Sequence, residues 1–413
     1  ARAYLVLKKG GDGFFPLDAS LGLTRDGFSP LLIGLSSRLA TRMSFGATVT
    51  VFRYFLARAP STEAIECFVL GLGRYAGEYT EAAPPPKDDG EVLVIEVDGK
   101  ATPTATDEEL SKRRGKRKKK KISGGKCGCQ RHRGRKRRRC KKCKKKRRKK
   151  GDKSKNGKSV TLVVMYTLKR GEDGRLHGPI NKRVWGTYAP RKHAFVWARA
   201  QATKRGFPPD TKKLVEVAID GEICLRQGLE KLFPNAIFVL DVRHIQERIW
   251  EVGRAFFKEG SQELEQWVKE QETLLYEGNA LLLFIALKTL YEHVLKGRKG
   301  VKVQRDALKK MITYMGSRLD MMRYADLIKQ DLVISTGVVE GAARYVVGER
   351  MDCSGMRWIK GRAEALLRLR CLELNGEWDA FFEQAHQRWC EKLRTGERVQ
   401  IRTNDPITLP KAA

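Results

Sequence analysis

Residues 112 to 158 constrain this chain more than any other stretch, because they hold little except Lys, Arg, Gly and Cys, with one acid, Asp152. Such a segment cannot bury enough apolar surface to offset the entropy of ordering it. Whatever folds must therefore fold on either side of it. The segment is the extreme of a general bias: Lys and Arg outnumber acids by 83 to 48, a net charge of +35. That excess points to a polyanion, with nucleic acid ahead of an anionic membrane surface. No apolar run reaches the roughly 18 to 20 residues that would span a bilayer, and no signal peptide opens the chain. A soluble, cytoplasmic, nucleoid-associated protein without a membrane partner is expected. Nine cysteines, scattered or set in the basic cluster, suit reduced thiols or a metal site better than a disulfide framework.

With 413 residues, two or three domains are expected. After an amino-terminal segment, 1–20, residues 21–82 alternate apolar clusters with polar breaks. Ser29, Ser44 and Ser61 stand where helix caps belong, predicting three helices. Short helices joined by tight turns suggest a helix-turn-helix DNA-binding domain; a helical bundle that only packs on the rest fits equally. "AAPPPKDDG" ends the last helix, and 83–90 reads as a linker.

The next region, 91–244, alternates strands and helices around the basic insert. "EVLVIEVDGK", "VTLVVMYTLKR", "KRVWGTYAP", "KLVEVAIDGE" and "AIFVLDVRH" read as strands, "RKHAFVWARAQATKRG" and "CLRQGLEKLF" as helices. The order is β, insert, β, β, α, β, α, β, that of an α/β ribonuclease H-like core. Residues 245–334 read as an all-helical insertion, 335–382 as helices closing the core, and 383–413 as a tail.

Asp98 and Asp220 each end an apolar strand and precede a glycine. On neighbouring strands their side chains would emerge together at the carboxyl edge of the sheet, and the missing Cβ of Gly99 and Gly221 would leave room for a ligand. Glu340, in "GVVEGAARYVV", is costly to bury without a cation beside it and is the candidate third ligand. Three carboxylates suit hard cations, Mg²⁺ or Mn²⁺, of which two about 3.5 to 4 Å apart could polarise a phosphodiester and activate its attacker. Each acid has a plainer reading: a turn after a strand for the aspartates, a helix-start residue for Glu340. Glu96, two residues before Asp98 on the same strand face, is a second candidate.

Six stretches carry a resemblance: "GFFPLD", "VIEVDGK", "CQRHRGR", "VVEGAARYVV", "RM..SGMRW" and "LNGEWDAF". From about Gly13 to Phe382 the chain resembles ISKra-type transposases of bacterial insertion sequences, and "LDVRH" resembles the C/D-x-x-H motif of Mutator-like and hAT-like transposases. The resemblance implies a catalytic Asp98, Asp220 and Glu340, with Asp241 the rival for the second position and Asp241 and His244 forming a supporting motif. His244 could equally be an ordinary surface histidine. Relatives usually carry a zinc ribbon ahead of "GFFPLD"; "YLVLKKGGDGFFPLD" has no cysteine.

Within the insert, Cys127, Cys129, His132, Cys140 and Cys143 offer enough soft ligands for one Zn²⁺, at a spacing unlike standard fingers. Lys112, Arg113, Arg114, Arg131, Arg133, Arg135, Arg137, Arg138, Lys141 and Lys142 would neutralise phosphates without reading sequence. Arg357 could hold a phosphate and Trp358 could stack on a displaced base or simply pack in the core. The expected partner is double-stranded DNA, bound by a homodimer or higher oligomer. The expected activity is cleavage of transposon ends and joining of the freed 3′ hydroxyl to target DNA. A DNA-binding derivative without catalysis and a metal nuclease that cuts without joining are the alternatives.

Overall fold

The computed structural model describes residues 4–6, 13, 15–24, 26–106, 108, 157–353 and 356–410. The candidate zinc ligands and the basic DNA-binding candidates, from Lys112 to Cys143, lie outside the described residues.

The described residues form one five-stranded mixed sheet flanked by helices. Its strands are β1 (Val92–Pro103), β2 (Gly157–Arg170), β3 (Leu176–Thr187), β4 (Val215–Ile219) and β5 (Ile237–Leu240), in the spatial order β3-β2-β1-β4-β5. β2 runs antiparallel to both neighbours, whereas β1, β4 and β5 are mutually parallel. Parallel neighbours need crossovers: α5 (Arg191–Lys204) follows β3, and α6 (Ile223–Glu230) joins β4 to β5. Helices on both faces explain why Val92–Val97 and all of β4 are buried, and why these strands read as continuous apolar runs. The expected order of strands and helices is the observed one. β3 starts earlier than its apolar residues suggested, because "HGPINKR" pairs with β2 while keeping most of its side chains exposed.

Ahead of the sheet come α1 (Pro16–Ser20), α2 (Pro30–Arg42), α3 (Phe45–Phe55) and α4 (Thr62–Ala82). Ser29, Ser44 and Ser61 cap the last three by accepting from Leu32, Ala47 and Ala64 N–H. β5 is followed by α7 (Val242–Phe256), α8 (Gln262–Tyr276), α9 (Ala280–Thr289), α10 (Lys302–Gly316) and α11 (Tyr324–Lys329). No strand interrupts 245–334, as expected. α12 (Gly337–Ala342) then runs through a π turn to Met351, and α13 (Lys360–Leu374) and α14 (Trp378–Arg394) follow.

α13 ties the amino-terminal helices to the sheet. Gly73 of α4 sits so close to it that a Cβ there would lie 2.6 Å from that of Ala365. On its other side, buried Glu364 accepts from Thr187 Oγ1 at 2.9 Å and Tyr188 N–H at 2.8 Å, at the end of β3. The segment expected as a tail is helical to Arg394, and beyond it Val399 and Ile401 are buried, with Thr403 N–H bonded to Cys67 C=O on α4.

Two fully buried acids lie within the sheet, Glu96 on β1 and Glu216 on β4. Burial pushes their carboxyl groups up from 4.5 to about 7 and about 8. A carboxyl raised by folding contributes stability that is complete below its unfolded value and is lost as pH rises through its folded value. The stability of the protein relative to a Glu216→Gln variant is therefore expected to fall between about pH 4.5 and 8. Urea unfolding of both at about pH 5, 7 and 9 measures that difference.

Candidate metal centre

The sheet register decides which acids meet. Val97 of β1 pairs with Ile219 of β4, and Ile219 pairs with Leu240 of β5. The next residue on each strand is acidic: Asp98, Asp220 and Asp241. The parallel pairing of three neighbouring strands thus gives way to a row of carboxylates, at the edge where open α/β sheets form their crevices. β1 continues, paired with β2, to Pro103 opposite Gly157, so the basic insert leaves and returns at this same edge. At the ~3.3 Å rise of a strand, its root lies roughly 17 Å beyond Asp98.

Asp241 caps α7, its Oδ1 accepting from Arg243 N–H at 2.9 Å and its Oδ2 from the hydroxyl of Thr336. Capping fixes the first turn of α7 and turns His244, one turn on, back toward the cap: His244 Nε2 lies 3.9 Å from Asp241 Oδ2. Glu340, in the first turn of α12, comes to the same place. Asp241, His244 and Glu340 each offer a ligand atom within 4.8 Å of the others, a group that can hold a metal ion. Asp241 is buried, while the side chains of His244 and Glu340 are 36% and 38% exposed, so the group opens to solvent on one side.

Burial raises the Glu340 carboxyl above its ordinary value, and the charge of Asp241 raises it further, while Arg243, 3.7 Å away, opposes the shift. Burial also raises Asp98, with the charge of Asp220 adding to it and His244 opposing. Mutual repulsion among acids is the condition a bound cation relieves, and carboxylate oxygens with one imidazole suit a divalent ion.

The structure brings together Asp241, His244 and Glu340. Asp98 and Asp220 stand at the adjoining strand ends outside that close group, and Asp98 is near enough for the charges of Asp220, His244 and Glu340 to be felt there. Asp220 Oδ1 accepts from Glu222 N–H at 2.8 Å. Glu96, the second candidate on β1, lies outside that group, and its oxygens accept from Tyr166 Oη and Val339 N–H, both at 2.7 Å.

The glycines also serve a different purpose from the one expected. At Gly221, with φ +84°, a Cβ would fall 2.5 Å from Leu240 Cδ1 and 2.8 Å from Arg318 Nε, so the space is filled by protein. Tyr314 Oη and Arg318 Nε donate to the carbonyls of Asp220 and Gly221 at 2.9 and 2.6 Å, bracing the turn from the helical insertion. A Cβ at Gly99 would meet Ser159 Oγ at 2.9 Å.

Trp358 is a core residue rather than a stacking platform. Its Nε1 donates to Met351 C=O at 2.9 Å, Arg350 lies over its ring, and its backbone bridges to Pro103 and Ala105 at the root of the basic insert. Arg357 beside it is exposed. Sequence reasoning missed Thr336, Tyr314 and Arg318, which act through backbone groups or a neighbouring side chain and leave no motif.

No protein-family model and no curated protein matches the chain.

A saturating divalent cation is expected to raise the thermal midpoint of the protein. At a concentration of 100 times Kd it contributes about 2.7 kcal/mol. Asp241→Asn should remove most of that gain. The gain should also shrink as pH falls, because Glu340, raised above its ordinary value, is protonated at a higher pH than a free glutamate. Scanning fluorimetry with Mg²⁺ and Mn²⁺ measures both effects.

Proposed function

We propose that this chain is a DDE transposase with a ribonuclease H-like core, acting on double-stranded DNA as a dimer or higher oligomer. The observation that carries the reading is the meeting of acids at one sheet edge. Asp98, Asp220 and Asp241 follow directly on the parallel pairing of three strands, and the helix returning from the insertion adds Glu340, in a chain of net charge +35. A cluster of carboxylates is a poor site for DNA unless cations sit within it, and Mg²⁺ or Mn²⁺ bound there would polarise a phosphodiester and lower the pKa of an attacking water or 3′ hydroxyl.

In this reading Asp98, Glu340 and either Asp220 or Asp241 supply carboxylate oxygens, and Asp241, the cap of α7, orients His244 on the open side. Arg243, exposed and beside Glu340, balances acidic charge and meets a phosphate. The basic insert, rooted at the same edge, grips the backbone without reading bases. α2 and α3, separated only by Met43 and Ser44, serve as a helix-turn-helix in which Ala47, Thr50 and Arg53 on the exposed face of α3 enter a groove.

The test is cleavage and strand transfer on labelled DNA bearing the element's own ends, with Mg²⁺ or Mn²⁺. Glu340→Gln is expected to abolish product while leaving DNA binding intact, a larger loss than the ~10 to 100-fold typical of an outer-shell partner. Comparing Asp220→Asn with Asp241→Asn decides the second carboxylate: the ligand loses all product, and the supporting residue loses about 10 to 100-fold. DNA binding without any product would overturn the catalytic reading in favour of a binding protein, and nicked ends that never join would leave a nuclease.

Replacing Arg131, Arg133, Arg135, Arg137 and Arg138 together by Gln should weaken binding to every DNA sequence alike. The slope of log K against log salt should drop by about 0.9 for each phosphate that is no longer neutralised. Fluorescence anisotropy across a salt series checks it.

A further inference from the structure

Glu340 arrives at the site from far along the chain, and what holds it there is a short segment, Leu332 to Glu340, laid across the parallel strands. Each strand or its end fastens it. At β5, Val242 N–H donates to Ile334 C=O at 2.9 Å, and the Thr336 hydroxyl bonds Asp241. At β4, Glu216 Oε2 accepts from Val333 N–H at 3.2 Å. At β1, Glu96 Oε2 accepts from Val339 N–H at 2.7 Å, one residue before Glu340.

The two carboxylates occupy matched positions. Side chains repeat every second residue on a strand, so Glu96 shares a face with Asp98, two residues on, and Glu216 shares a face with Asp220, four residues on. Beneath each site aspartate, a buried acid on the same strand reaches up to the segment that brings in Glu340. Both are fully buried among the apolar residues of β1 and β4, where an uncompensated carboxyl is costly and a valine would pack without that cost. Among the described residues Glu216 Oε1 has no hydrogen-bond partner, so this acid is not optimised for stability.

The local structure of α12 explains the need. First-turn N–H groups of a helix lack partners within it, and a cap side chain normally supplies one. Thr336, at the cap position, makes no side-chain cap bond because its hydroxyl is held by Asp241. Glu96 supplies the missing acceptor from a different strand, which fixes the first turn of α12 directly over β1.

We propose that Glu96 and Glu216 are positioning residues that set the placement of Glu340 over the strand ends. The inference rests on reading Glu340 as a metal ligand. Neither acid touches the cation; each acts through the backbone of the segment that carries Glu340.

The test is Mn²⁺ binding to the full chain, followed by electron paramagnetic resonance. Glu340→Gln is measured first: if it binds Mn²⁺ like wild type, the ligand reading itself fails. Once that variant is weakened, Glu96→Leu is expected to weaken Mn²⁺ binding about 10 to 100-fold. Glu96→Gln should come back to within about threefold of wild type, since its carbonyl still accepts from Val339 while its amide donates to the Tyr166 hydroxyl. Glu216→Leu, which leaves β1 untouched, should weaken binding in the same sense. Should Glu96→Leu fail to fold, Glu216→Leu and Glu96→Gln carry the test. Wild-type affinity in the leucine variants, or a glutamine variant as weak as leucine, would overturn the positioning role.

Discussion

Parallel pairing of β1 with β4 and of β4 with β5 fixes where everything else must go. Strands in parallel register reach their carboxyl ends at the same level, so an acid placed just past the pairing on each becomes the neighbour of the next. The helices that close the crossovers bury both faces of the sheet, leaving that edge as the place where polar groups can gather. The helical insertion braces the edge through Tyr314 and Arg318, and α12 lays Glu340 across it. A one-residue slip of β4 would turn Asp220 and Glu216 to the opposite face together, so register and site are specified by the same apolar pattern.

Much of this was legible in the residues, for reasons that can be named. Strands buried on both faces leave apolar runs such as "VLVIEV" and "VEVAI", each interrupted by a single glutamate and followed at once by an aspartate. Serine caps are legible because the hydroxyl acts on the helix that immediately follows it. The opposite half of β3 was hidden because an edge strand facing solvent keeps polar residues and has no pattern to read.

The site was legible as a set of acids but not as a division of labour among them. Glu96 and Asp98 share a strand face and a chemistry; only depth separates a bonded acceptor from a candidate ligand. Asp220 and Asp241 both end parallel strands, and which one meets Glu340 depends on the side-chain cap of α7 and on Thr336, a hydrogen bond spanning 95 residues. Gly221 looked like an opening and proved to be the only residue type that permits its φ beside Leu240 and Arg318. For Trp358 the residues left stacking on a base and packing in the core both open, and the indole N–H spent on the Met351 carbonyl decides for the core.

The bond from Glu96 to Val339 joins residues 243 positions apart. Pairings of such separation form late, since loop closure precedes any gain from them. During synthesis, β1 and its aspartate emerge long before Glu340 is made, and the sheet edge stays without its glutamate until the insertion has folded and α12 has docked. The acidic cluster is therefore a property of the finished chain: a nascent or truncated product that ends before Glu340 carries the basic insert but not the completed cluster.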